Sequence, residues 1–75
     1  MTLQEIITLK EKLQRLDKDI SITRSLIQLS IAEAHFADTE YYKEMYNKQV
    51  SECFIKLKDL RKIKIELEKE YYKKN

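Results

Sequence analysis

The sequence predicts an all-α chain folded as a two-helix antiparallel coiled-coil hairpin. Three observations carry that expectation. The 75 residues include no glycine and no proline, where average usage would place roughly five and four in such a length. Apolar residues recur at alternating intervals of three and four along both halves, which is the spacing of a coiled-coil seam. A short capping segment, Ala37-Asp38-Thr39-Glu40, divides the chain at its midpoint. Tight hairpins and phosphate-cradling loops need positive φ, which glycine adopts without strain. A glycine-free chain therefore argues against β-rich, Rossmann-like and nucleotide-loop architectures.

The first helix is expected over about residues 3–37. Thr2 and Glu5 have the spacing of a capping box, in which each side chain takes the other residue's amide. The seam that follows is Ile6, Leu9, Leu13, Leu16, Ile20, Thr23, Ile27, Ile31 and Ala34. Lys10, Glu11, Lys12, Arg15, Asp17 and Lys18 lie off it, with Glu11 and Arg15 in the favourable i,i+4 order. From Ile20 onward a second stripe, Ile22, Leu26, Leu29 and Phe36, occupies another face, and no charge falls between Ser25 and Ala32. A helix apolar on two sides is ordinarily covered on two sides.

A turn is expected over about residues 37–40, with Asp38 or Thr39 capping a second helix over about 39–73. The alternatives are one continuous helix and a further break near Asp17–Asp19. The second seam reads Tyr42, Tyr46, Val50, Cys53, Leu57, Leu60, then Ile63 or Lys64, Leu67 and Tyr71. Strict heptads would bury Lys64, whereas a small drift would seat Ile63 and let Lys64 reach solvent. Glu44, Lys48, Glu52 and Lys56 form an outer ladder of i,i+4 charges, with Glu70 and Lys74 beyond it.

Residues 1–75 thus form a single helical domain with a thin core. Domains this small commonly gain burial by association. The expectation is a hairpin that completes a helical bundle with a second copy or with a partner protein.

Composition limits the chemistry. One cysteine excludes an internal disulfide and a cysteine-based zinc site. No stretch approaches the ~20 apolar residues of a membrane span. Met1-Thr2-Leu3-Gln4-Glu5 has neither a basic region nor an apolar signal core. These features give the expectation of an unprocessed cytoplasmic chain with a reduced thiol. The net charge is +2, unevenly spread: residues 33–52 are acidic, residues 56–64 basic.

Each candidate site has a plain structural counterpart. Cys53 falls on the second seam, where a thiol acts as a small hydrophobe. His35 is the only histidine and lies near Glu33, Asp38 and Glu40, a setting that suits a surface or capping group. Asp17 and Asp19 point to different helix faces and do not suit acid–base work. Lys58, Lys62, Lys69 and Lys73 fall within about 60° of one another on a helix, a stripe that could follow phosphates. Glu66, Glu68 and Glu70 share that segment. Tyr41, Tyr42, Tyr46, Tyr71 and Tyr72 bracket the second helix, either closing the bundle ends or contributing to an interface.

No catalytic constellation, cofactor motif or metal-ligand set emerges. The expected function is a non-enzymatic protein–protein interaction module, such as a small helical adaptor, co-chaperone or regulator. Its apolar face would comprise Ile20, Ile22, Leu26, Leu29, Ile31 and Phe36 of the first helix with Tyr42, Tyr46, Val50, Phe54, Leu57 and Leu60 of the second. The alternative is a dimeric nucleic-acid-binding regulator using the lysine stripe. Neither reading requires a cofactor, a small-molecule substrate or a membrane.

Overall fold

Helix α1 spans Leu3–Phe36 and helix α2 spans Glu40–Lys74. The computed structural model describes residues 2–74, with side chains as far as Lys73. Each helix starts on a threonine. The Thr2 hydroxyl accepts from the Glu5 amide at 3.2 Å, and the Thr2 carbonyl accepts from the Ile6 amide. Thr39 repeats the arrangement for α2: its hydroxyl accepts from Tyr42 at 3.3 Å and its carbonyl from Lys43 at 3.1 Å. A threonine oxygen in this place satisfies an amide that the start of a helix leaves without an intrahelical acceptor. Thr39, rather than Asp38, is the second cap.

The reversal is confined to residues 37–39. Ala37 is extended, at φ −65° and ψ 133°, and no described residue has positive φ. A turn built without left-handed backbone needs no glycine. The molecule measures 56 × 14 × 12 Å, where one continuous helix would reach roughly 110 Å. The chain is therefore a helical hairpin, and α1 runs unbroken through Asp17–Asp19.

The inward residues of α1 are Ile6, Leu9, Leu13, Leu16, Ile20, Thr23, Ile27, Ser30 and Ala34, with Ala37 beyond the helix end. Those of α2 are Lys43, Tyr46, Val50, Cys53, Leu57, Leu60, Lys64, Leu67 and Tyr71. Both series alternate threes and fours without a slip. This corrects two assignments based on apolarity and decides a third position left between two residues. Ser30 is buried while Ile31 is exposed; Lys43 takes the place given to Tyr42; and Lys64 holds the position that a drift would have handed to Ile63. Periodicity prevails because these polar residues are tolerated inside. The buried Thr23 hydroxyl donates to the Asp19 carbonyl one turn back at 2.8 Å, so its burial orphans no donor.

Lys64 is tolerated for a different reason. Its stem follows the seam while its ammonium pairs with Asp17 on α1 and lies 3.7 Å from Glu68. The hydrogen bond to Asp17 raises the Lys64 pKa above the ordinary lysine value; the charges of both carboxylates add to this and partial desolvation opposes it. This is the cross-helix ion pair among the described residues, and it places Lys64 of α2 level with Asp17 of α1. Of the expected outer ladder, Glu44, Lys48, Glu52 and Lys56 are exposed and make no ion pair, and the Glu70–Lys74 step lies outside the described side chains. Exposed long side chains gain little from holding one geometry.

Candidate functional site

Treating Ile6, Leu13 and Ile20 as a positions and Leu9, Leu16 and Thr23 as d positions assigns every residue to a face. On α2, Val50, Leu57 and Lys64 are a, and Tyr46, Cys53 and Leu60 are d. In an antiparallel pair the g positions of the two helices lie on one side of the seam and the e positions on the other. The surface grooves follow this geometry. Arg24, Ile27 and Gln28 line one groove with Phe54, Leu57 and Arg61 on the e side. Leu9 and Lys12 line another with Glu70 on the g side.

The g side is the more apolar of the two. It carries Ile22, Leu26, Leu29 and Phe36 from α1 and Tyr42, Met45 and Ile63 from α2, at exposures from 39% for Leu26 to 77% for Phe36. Apart from Ile63, these residues gather in the half of the hairpin next to the turn. The same flank of α1 nearer the open end is polar: Glu5, Thr8, Lys12, Arg15 and Asp19.

The e side mixes charge with apolar surface. Phe54, Leu57 and Ile65 line a shallow groove with Lys58, Arg61, Lys62 and Lys69, together with Asp59 and Glu66. Lys58, Lys62, Lys69 and Lys73 are all exposed, and Lys73 stands outside the groove. Ile31, Ala34 and His35 line a further groove with Lys43 and Asn47. His35 is exposed in the last turn of α1 and meets the Phe36 ring edge-on at 5.0 Å.

The twelve residues expected to form one apolar face separate into three groups. Ile22, Leu26, Leu29, Phe36 and Tyr42 share the g side. Ile31 and Phe54 lie on the e side. Ile20, Tyr46, Val50, Leu57 and Leu60 pack between the two helices, where they build the hairpin itself. Met45 and Ile63 join the g side. A strict heptad carried through Lys43 and Lys64 places both there. Cys53 is half-buried in the seam as a free thiol. Tyr71 is half-buried and Tyr72 exposed, their rings edge-on at 5.4 Å.

Among the described residues, no group of three or more His, Cys, Asp or Glu side chains is placed to hold a metal ion, and no helix is long and apolar enough to cross a membrane. Compared with known proteins, the chain matches no family model, no curated protein and no solved structure.

Proposed function

We propose that this chain is a non-enzymatic protein–protein interaction module of the cytoplasm, a small helical adaptor, co-chaperone or regulator that packs its g-side face against partner helices. The observation that carries the reading is the inversion of α1 next to the turn. There the seam is mostly small or polar, with Thr23, Ser30, Ala34 and Ala37 around Ile27, while Ile22, Leu26, Leu29 and Phe36 point outward. Fully burying one such aliphatic or aromatic side chain is worth roughly 1.5–3 kcal/mol, so covering four of them is enough to drive association.

A photo-crosslinking residue placed at Leu29, and separately at the exposed Lys18, tests this in expressing cells. Protein adducts from position 29 that are absent from position 18 are expected. Equal adducts from both positions would contradict the reading. The runner-up reading, nucleic-acid contact, draws on the cluster of Lys58, Arg61, Lys62 and Lys69 around Phe54 and Ile65. It predicts binding that weakens steeply with salt, whereas apolar association through position 29 holds as salt rises.

A further inference from the structure

Beyond the g-side reading, we infer that the e side binds an acidic helical segment of another protein, with Arg24 and Arg61 clamping one of its carboxylates. Residues at successive e positions of the two helices stand opposite one another along that side. Asp17 and Glu68 share the Lys64 ammonium, which sits on the seam between them. Seven residues nearer the turn on each helix stand Arg24 and Arg61, which line one groove over Ile27 and Leu57. Seven nearer again stand Ile31 and Phe54, 51% and 52% exposed. Like thus faces like three times: two acids, two bases, two apolar side chains.

The two charged pairs differ in how they are neutralised. The acid pair has its counter-ion inside the hairpin. The arginine pair has none. Both arginines are exposed, neither makes an ion pair among the described residues, and no residue three or four positions from either is acidic. Arg15, the chain's remaining arginine, has Glu11 and Asp19 at that spacing. Like charges across a seam oppose the pairing that holds them, and a guanidinium offers its donors as a planar fork that fits a carboxylate. An anion from outside relieves a repulsion that nothing inside the hairpin relieves.

The surroundings of the pair define that anion's carrier. Lys58, Lys62 and Lys69 extend the positive surface over α2, but Asp59 and Glu66 also line this side, and the acid pair lies one heptad away. A nucleic-acid strand or an anionic bilayer is negative throughout and would run onto those carboxylates. A protein helix carries its acids singly. With one Asp or Glu between the arginines, an apolar residue seven positions along lies about 10 Å away, level with Ile31 and Phe54. Arginine beside an aromatic ring is also a composition enriched at protein interfaces.

A displayed library of helical peptides, randomised along one face and selected on the full chain in about 0.15 M salt, tests the assignment. Enrichment of Asp or Glu seven positions from Leu, Ile or Phe is expected. Arg24→Glu gives Arg61 a counter-ion from within, so it should weaken the selected peptide at least about tenfold while the urea midpoint of the chain holds or rises. Arg24→Glu with Arg61→Glu should turn the selection toward Lys and Arg, whereas Lys18→Glu, away from the groove, leaves the peptide's affinity unchanged. Selection without acidic enrichment, a peptide indifferent to Arg24→Glu, or a lowered midpoint for that variant would overturn the assignment. So would a single-stranded oligonucleotide or phosphatidylserine vesicles that bind through the arginines in place of the acidic peptides. Position-29 adducts do not depend on these arginines, so failure here leaves the g-side reading standing.

Discussion

The two ends of the hairpin are built on the same heptad and packed in opposite ways. Toward the open end, α1 turns Ile6, Leu9, Leu13, Leu16 and Ile20 inward, and its outer surface is mostly charged, from Lys10 to Asp19. Next to the turn the inward series thins to Thr23, Ile27, Ser30, Ala34 and Ala37, while the outer surface carries Ile22, Leu26, Leu29, Ile31 and Phe36. The open half is a two-helix coil with large aliphatic residues in its seam, although Ile7, Ile63, Ile65 and Tyr72 stay exposed on its flanks. The turn half lets the helices meet through small side chains and offers its large ones outward. The open half is therefore held by large apolar seam contacts, and the turn half leaves its large side chains of α1 exposed.

Six substitutions, in four comparisons, break or sharpen this contrast. The largest effect is expected at Leu57, one of three buried apolar residues among the described ones, with Leu9 and Ile27. Leu57→Ala should cost about 2–5 kcal/mol, read as a lowered midpoint in urea unfolding. Leu29→Ala, at a concentration where the chain is monomeric, should change the same midpoint by less than about 0.5 kcal/mol. Next comes the narrow seam of the turn half. Ser30 is only 4% exposed, so Ser30→Leu should overpack it and destabilise by about 1–3 kcal/mol, whereas a loosely packed turn half would accept the larger side chain and gain stability in the same titration.

Thr39→Ala removes the cap that starts α2 at the turn, and about 1 kcal/mol should be lost. Thr2→Ala at the free end should lose less, because a fraying first turn is not coupled to the reversal; thermal melts followed by circular dichroism compare the two. The smallest effect concerns Lys64. A lysine whose pKa is raised on folding stabilises fully below its unfolded value of 10.5, and that contribution disappears as pH climbs through the raised folded value. Stability should therefore fall above about pH 10.5 by a component that Lys64→Met lacks, measurable by unfolding both chains between pH 9 and 12.

Much of this architecture could be read from the residues. The absence of glycine and proline, the capping residues Thr2 and Asp38 or Thr39, and the three-four spacing led to a helical hairpin with its turn at about residues 37–40, and the second stripe on α1 was visible as Ile22, Leu26, Leu29 and Phe36. Apolarity misled at two seam positions and left a third open. Ile31 outranked Ser30, Tyr42 outranked Lys43, and Ile63 stood beside Lys64 as an alternative, although the unbroken heptad selects the polar residue each time. What local hydrophobicity omits is the partner. Thr23 finds a carbonyl on its own helix, and Lys64 finds Asp17 on the other helix, visible only once the chain has folded back. The same omission merged the seam residues Leu57 and Leu60 with the outward Leu26 and Leu29 into one apparent face.

The contrast between the two halves is tested most directly by methyl NMR with a soluble paramagnetic probe. The Leu9 and Leu57 methyls should stay protected from the probe at every concentration. Those of Leu26 and Leu29 should be broadened by it in the isolated chain. Leu26 and Leu29 methyls as well protected as those of Leu9 and Leu57 in dilute samples would contradict a turn half that presents its large side chains outward.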